Sequence, residues 1–113
     1  MTVGEVYWVE LPTKGGHAQS GRRPAIIVQD QKVSSRLSTV LVVPLTSQHD
    51  ALRFPGTVLV ETDANNGLRH PSVALIFQLT AVDRRYLSSP LGVISQDVLD
   101  EIFFALDELT GRT

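Results

Sequence analysis

The chain of 113 residues contains no cysteine, one methionine and one tryptophan. Without a thiol there is no disulfide frame, no cysteine nucleophile and no cysteine-ligated zinc or iron–sulfur site, a composition that fits a reducing cytoplasm. No apolar run approaches the roughly 18 residues of a membrane span. The opening MTVGEVYWVELP lacks a basic stretch followed by an apolar core and does not read as a secretory signal. Low-complexity linkers and internal repeats are missing, as are a P-loop, a dinucleotide-binding glycine fingerprint and a nucleophile elbow. His17, His49 and His70 stand far apart with no HxH or HxxxH spacing, which argues against a metal site and for surface positions. Charged residues are sparse at 19%, yet 42% of the chain is hydrophobic, enough to bury a core. The length suits one domain spanning residues 1–113.

The formal net charge of −2 argues, taken as a mean, against a nucleic-acid partner. Its distribution says otherwise. Residues 97–113 carry five acids (Asp97, Asp100, Glu101, Asp107 and Glu108) against Arg112, a net of −4. Residues 1–96 carry seven acids and nine bases, a net of +2. Eight of the ten bases are arginine, whose planar fork matches phosphate.

The first ninety-odd residues read as short β segments separated by turn signals. Val3 to Val9 alternates in part, while Pro24–Gln29 and Ser38–Pro44 are near-continuous apolar runs, the pattern of strands covered on both faces. Further strands are expected over Gly56–Glu61, over Ser72–Leu79 continuing through Asp83, and over Leu91–Ile94. Asn65-Asn66-Gly67 is a turn, because these residues accept positive φ cheaply. The last segment changes period. Ser95 is placed to cap a helix, Asp97 falls in its first turn, and Gly111 follows its end. Val98, Ile102, Ala105 and Leu109, flanked by Leu99, Phe103 and Leu106, form an apolar face at helical spacing. The expected fold is mainly β, in the α+β class: a small barrel-like body closed by a C-terminal amphipathic helix.

Two polar clusters could carry chemistry. Thr13 to Arg23 is rich in glycine and basic, reads as a mobile loop, and delivers Arg22 and Arg23 to the foot of a buried strand. There, backbone N–H groups and guanidinium forks would meet a phosphate together; the bland alternative is a solvated hairpin. Thr46, Ser47, Gln48 and His49 follow the next buried strand, where hydroxyls commonly cap or make turns.

In order, these clusters resemble the MazF/PemK family of toxin endoribonucleases from bacterial toxin–antitoxin systems. Gly4 to Pro12 is similar to the family's first strand. Gly21-Arg-Arg-Pro-Ala-Ile-Ile-Val28 resembles its Gly-x-Arg-Pro motif with an aliphatic run, and Val42-Val-Pro-Leu-Thr-Ser47 its Pro-(Leu/Ile/Cys)-Thr-(Ser/Thr) motif. Ser72 to Gln78, Val82-Asp-Arg84 and Leu91-Gly92 are similar to its late Gln…Asp-(Arg/Lys)…Leu-Gly pattern. The likeness runs through essentially the whole chain.

The resemblance implies a MazF/CcdB-like, SH3-like barrel working as a homodimer in the cytoplasm, without metal or cofactor. It implies sequence-specific cleavage of single-stranded RNA, chiefly mRNA, by attack of the adjacent 2′-hydroxyl to leave a cyclic phosphate and a 5′-hydroxyl. DNA lacks that hydroxyl and would not be cut. A cognate acidic, MazE-like antitoxin is the expected protein partner, laid across the basic groove and binding DNA together with the toxin. The catalytic pair carries over to Arg23 and Thr46. His17, Gln19, Arg22, Ser47, Gln48, Gln78, Arg84 and Arg85 are candidate RNA-binding or supporting residues, the last three also candidates for the dimer contact. Arg23 cannot readily act as a base, since its pKa leaves almost no neutral form. It is assigned to electrostatic stabilisation, with protonation of the leaving oxygen as a second role. The base is unassigned, with His17 as a candidate on imidazole chemistry. Asp83 reads as a structural hydrogen-bond acceptor.

The chain also departs from the family pattern. His17 and Ala18 precede the loop glutamine where many members have an acid. Phe77 and Thr80 replace charged residues around Gln78, so the cleavage motif is not transferable from relatives. A CcdB-like gyrase poison would require a Trp-Gly-Ile ending, whereas this chain ends Leu109-Thr-Gly-Arg-Thr113 and its only tryptophan is Trp8. A catalytically silent RNA-binding relative is the other alternative, against which stand both Arg23 and Thr46.

Overall fold

The apolar runs of the second and third strands need cover on both faces, and the fold supplies it with two separate cores. The computed structural model describes residues 1–11 and 21–112. Its described strands are β1 (Glu5–Leu11), β2 (Gly21–Ile27), β3 (Thr39–Thr46), β4 (Thr57–Val60), β5 (Ser72–Leu75), β6 (Thr80–Asp83) and β7 (Leu87–Val93), and its α-helices are α1 (Gln31–Ser34) and α2 (Gln96–Thr110). The strands run antiparallel in the order β4-β5-β3-β2-β1-β7, with β6 also paired to β3. Successive strand residues point to opposite faces. Ile26, Val43 and Leu45 therefore enter one core with Val60, Ala74 and Ile102, while Ala25, Ile27, Val40 and Val42 enter the other with Val9 and Val82.

One long strand belongs to both halves. The first half of β3 pairs with β6 (Thr39↔Asp83 through Val42↔Thr80), and its end pairs with β5 (Leu45↔Ala74, Thr46↔Val73). The expected continuous strand from Ser72 to Asp83 is accordingly broken by a 3-10 turn at Ile76–Gln78. An apolar pattern reads through this turn because Ile76 is buried in it; only the change of pairing partner reveals the corner. β7 starts at Leu87 rather than Leu91, since Tyr7 and Val9 of β1 pair with Pro90 and Leu87 across irregular register. Gly21, Arg22 and Arg23, read as the end of a loop, are the first residues of β2 and pair with Leu11, Glu10 and Val9.

The Asn65-Asn66-Gly67 turn is present, with Gly67 at φ +71°. Asp63 accepts from the backbone N–H groups of Asn65 and Asn66, and buried Asn66 bonds Glu61 O and Leu68 N. The turn leans on β7: Val93 N donates to Asn65 O at 2.8 Å, and a Cβ on Gly67 or Gly92 would collide with the facing backbone. It thus bridges β7 to the far side of the sheet.

The C-terminal helix follows its sequence signals. Ser95 Oγ accepts from Val98 N, and Gly111 ends the helix in the left-handed conformation at φ +74°. Leu99, Ile102 and Ala105 are buried, but Phe103 and Leu109 of the expected apolar face are largely exposed. No helix is long and apolar enough to cross a membrane among the described residues.

Candidate active site

Because β2 and β3 are antiparallel neighbours, their sequence-remote ends meet. The register Ala25↔Pro44, continued two residues outward, brings Arg23 in line with Thr46. Both line a pocket of about 510 Å³ together with Arg22, Ser47 and Gln48. Trp8 and Leu91 add walls from β1 and β7, and the segment after the Asn-Gly turn adds Leu68, Arg69 and His70.

Each basic side chain is held differently. Arg22 lies with its guanidinium carbon 5.1 Å from the centre of the Trp8 ring and donates from Nη2 to Ser88 Oγ at 3.3 Å. Glu10 sits opposite it in register, yet no ion pair forms between them. Arg23 is half-buried and has no carboxylate partner among the described residues. Thr46 is half-buried, and its Oγ1 accepts a hydrogen bond from Gln48 N at 3.2 Å. The turn-making role of such a hydroxyl and a chemical role are compatible here: accepting from the main chain leaves the hydroxyl proton to be donated into the pocket.

Among the described residues, no aspartate or glutamate lines this pocket, and no residue of the acidic α2 does. Three arginines therefore line a cleft to which the described residues bring no carboxylate, an arrangement suited to a phosphate-bearing ligand. Among the described residues, no group of three or more His, Asp or Glu could hold a metal ion.

The other expected residues separate from this group. His17 and Gln19 lie outside the described residues. Gln78 ends the 3-10 turn between β5 and β6, exposed and away from the pocket lining. Arg84 donates from Nη2 to the carbonyls of Ser34 and Leu37, fastening the α1 region to the end of β6. Arg85 pairs with Asp83 at 3.4 Å and lies over Tyr86. Asp83 caps the following 3-10 turn by accepting from Arg85 N, the structural role expected of it. Trp8, Arg69 and His70 were not singled out from sequence. For Arg69 and His70 the available signal was a basic pair between a strong turn and a buried strand; for Trp8 it was a lone tryptophan on the strand adjoining Arg22 and Arg23.

The sequence profile of one family, described as PemK-like, MazF-like toxin of type II toxin-antitoxin systems, matches residues 2–110. Endoribonuclease EndoA of Bacillus subtilis (strain 168) is 30% identical over 105 residues, covering 91% of this chain and 88% of that protein. Among solved structures, MazF from Deinococcus radiodurans superposes with a TM-score of 0.80 at 26% identity, covering 98% of this chain and 96% of that one. A MazE–MazF structure from the same organism gives 0.79 at 26% identity, covering 100% and 97%.

Proposed function

The chain belongs to the PemK-like, MazF-like toxin family of type II toxin–antitoxin systems, and on that premise we propose that it is a toxin endoribonuclease. It cleaves single-stranded RNA at short sequence motifs, without a metal ion, and so arrests translation. The observation that carries this reading is the convergence of Arg23 and Thr46 on a cleft with two further arginines and, among the described residues, no acid.

The chemistry follows from that lining. Attack by a ribose 2′-hydroxyl on the adjacent phosphodiester gathers negative charge on the phosphorane oxygens. Arg23 neutralises it with its planar guanidinium fork, and the Thr46 hydroxyl donates to one of the same oxygens. Preorganised donors of this kind are each worth roughly 3–4 kcal/mol at the transition state. The arginines supply positive charge of the kind a divalent ion would otherwise bring. The products are a 2′,3′-cyclic phosphate and a 5′-hydroxyl. The MazE–MazF structure to which this chain is similar supports a MazE-like antitoxin as its partner, and a homodimer would extend one shallow cleft into a longer phosphate track.

A long RNA incubated with the protein in EDTA is expected to give discrete fragments with 5′-hydroxyl ends, and Arg23→Ala should slow cutting at least about 100-fold. An RNA left intact by the wild-type protein would instead point to a silent RNA-binding relative. Equal cutting by the variant would remove Arg23 from the chemistry.

A further inference from the structure

The transition state needs a proton acceptor as well as charge stabilisation, and the pocket narrows the choice. Arg22, Arg23 and Arg69 stay protonated and accept nothing. Among the described residues no carboxylate lines the cleft, and residues 12–20 contain no aspartate or glutamate. Imidazole is the side-chain type that exchanges protons near neutrality, and among the described residues His70 is the histidine that lines the pocket.

The backbone around His70 is pinned. Pro71 follows it and restricts it to extended conformations. Ser72 Oγ donates to His70 O at 3.1 Å, and His49 Nε2 donates to Pro71 O at 2.9 Å. Three residues further on, Val73 pairs with Thr46 itself. His70 is thus tied by short, ordered links to the strand end that carries the hydroxyl, while the residue itself is exposed and lines the cleft. Among the described residues, the charged and titratable groups around it are Arg69 on its own segment, Arg22 and Arg23 from β2, and His49 beyond β3.

Resting on the endoribonuclease reading, we propose that His70 is the general base that takes the proton from the attacking 2′-hydroxyl. As the O2′–P bond forms and the P–O5′ bond breaks, that proton moves to the imidazole. The departing 5′-oxygen takes a proton from water, and His70 returns its own to solvent.

Single-turnover cleavage of a defined RNA by wild type, His70→Ala and His70→Gln tests this, alongside thermal melts that verify folding. Both variants are expected to cut about 100- to 1000-fold more slowly. They should still bind a non-cleavable 2′-O-methyl RNA within threefold of wild type. The variants should lose the part of the wild-type pH–rate profile that deprotonation of the base produces, while added imidazole partly restores His70→Ala. The proposal is overturned by cutting within threefold of wild type, by a loss explained by weaker binding, or by a pH dependence that survives in the His70 variants and vanishes in His17→Ala. A wild-type protein that leaves RNA intact overturns the endoribonuclease reading and this proposal with it. Intact wild-type cleavage with unaffected variants overturns only the assignment of His70.

Discussion

Thr46→Val separates the turn-making contact of the Thr46 hydroxyl from the catalytic role proposed for it. In the folded protein Oγ1 accepts a 3.2 Å hydrogen bond from Gln48 N, and Gln48 is exposed, so water replaces the lost partner. The cost to stability should stay below about 1 kcal/mol, and valine suits a strand end at least as well as threonine. The transition state has no such substitute. A donor aimed at the phosphorane oxygen from a half-buried position is worth roughly 2.7–4 kcal/mol, which at about 1.4 kcal/mol per tenfold is a 100- to 1000-fold loss of rate. Thr46→Ser keeps the hydroxyl and should remain within about tenfold of wild type. Single-turnover cleavage and thermal unfolding, measured on the same preparations, distinguish the contributions. The reasoning is refuted if Thr46→Val cuts within a fewfold of wild type while Arg23→Ala is inert. A rate that merely tracks the fall in Tm would equally refute it, since the hydroxyl would then only make a turn.

Gly67→Ala should destabilise the protein by at least about 2 kcal/mol, or roughly 8 °C in Tm, because φ is +71° there and the new methyl would collide with the Leu91 carbonyl; an unchanged melt would show that the turn does not need its contact with β7. Burial raises the Tyr7 hydroxyl above its ordinary value of 10.0, and Glu5 adds to the shift. Above pH 10 the folded state therefore keeps a proton that the unfolded chain releases, so stability is intact below that pH and falls as pH rises through the window above it. Tyr7→Phe should flatten that alkaline decline in urea unfolding, and a decline of undiminished slope would refute the linkage.

Local signals were legible wherever a few neighbouring residues set the outcome. Ser95 and Gly111 bound α2 because capping and left-handed φ are satisfied within one helical turn. Asn65-Asn66-Gly67 turns for the same reason, and the continuous apolar runs of β2 and β3 correctly signalled two covered faces. The corner at Ile76–Gln78 was not legible, because Ile76 is buried inside it and keeps the apolar pattern unbroken. Arg22 and Arg84 show the other limit. Both are arginines beside strands, yet Arg22 stacks on Trp8 in the cleft while Arg84 bonds the carbonyls of Ser34 and Leu37. Their partners lie far off in sequence, so side-chain chemistry alone does not sort them.

By itself, the amino-acid sequence determined the β body with its acidic terminal helix, the family to which the chain belongs, and the candidate pair Arg23 and Thr46. The tertiary structure decided which polar residues share a cleft. It joined Trp8, Arg69 and His70 to that pair and left Gln78, Arg84 and Arg85 outside it. Propensity and capping act over one turn of chain, whereas the cleft exists because β2, β3 and the turn leaning on β7 must bury their apolar faces together.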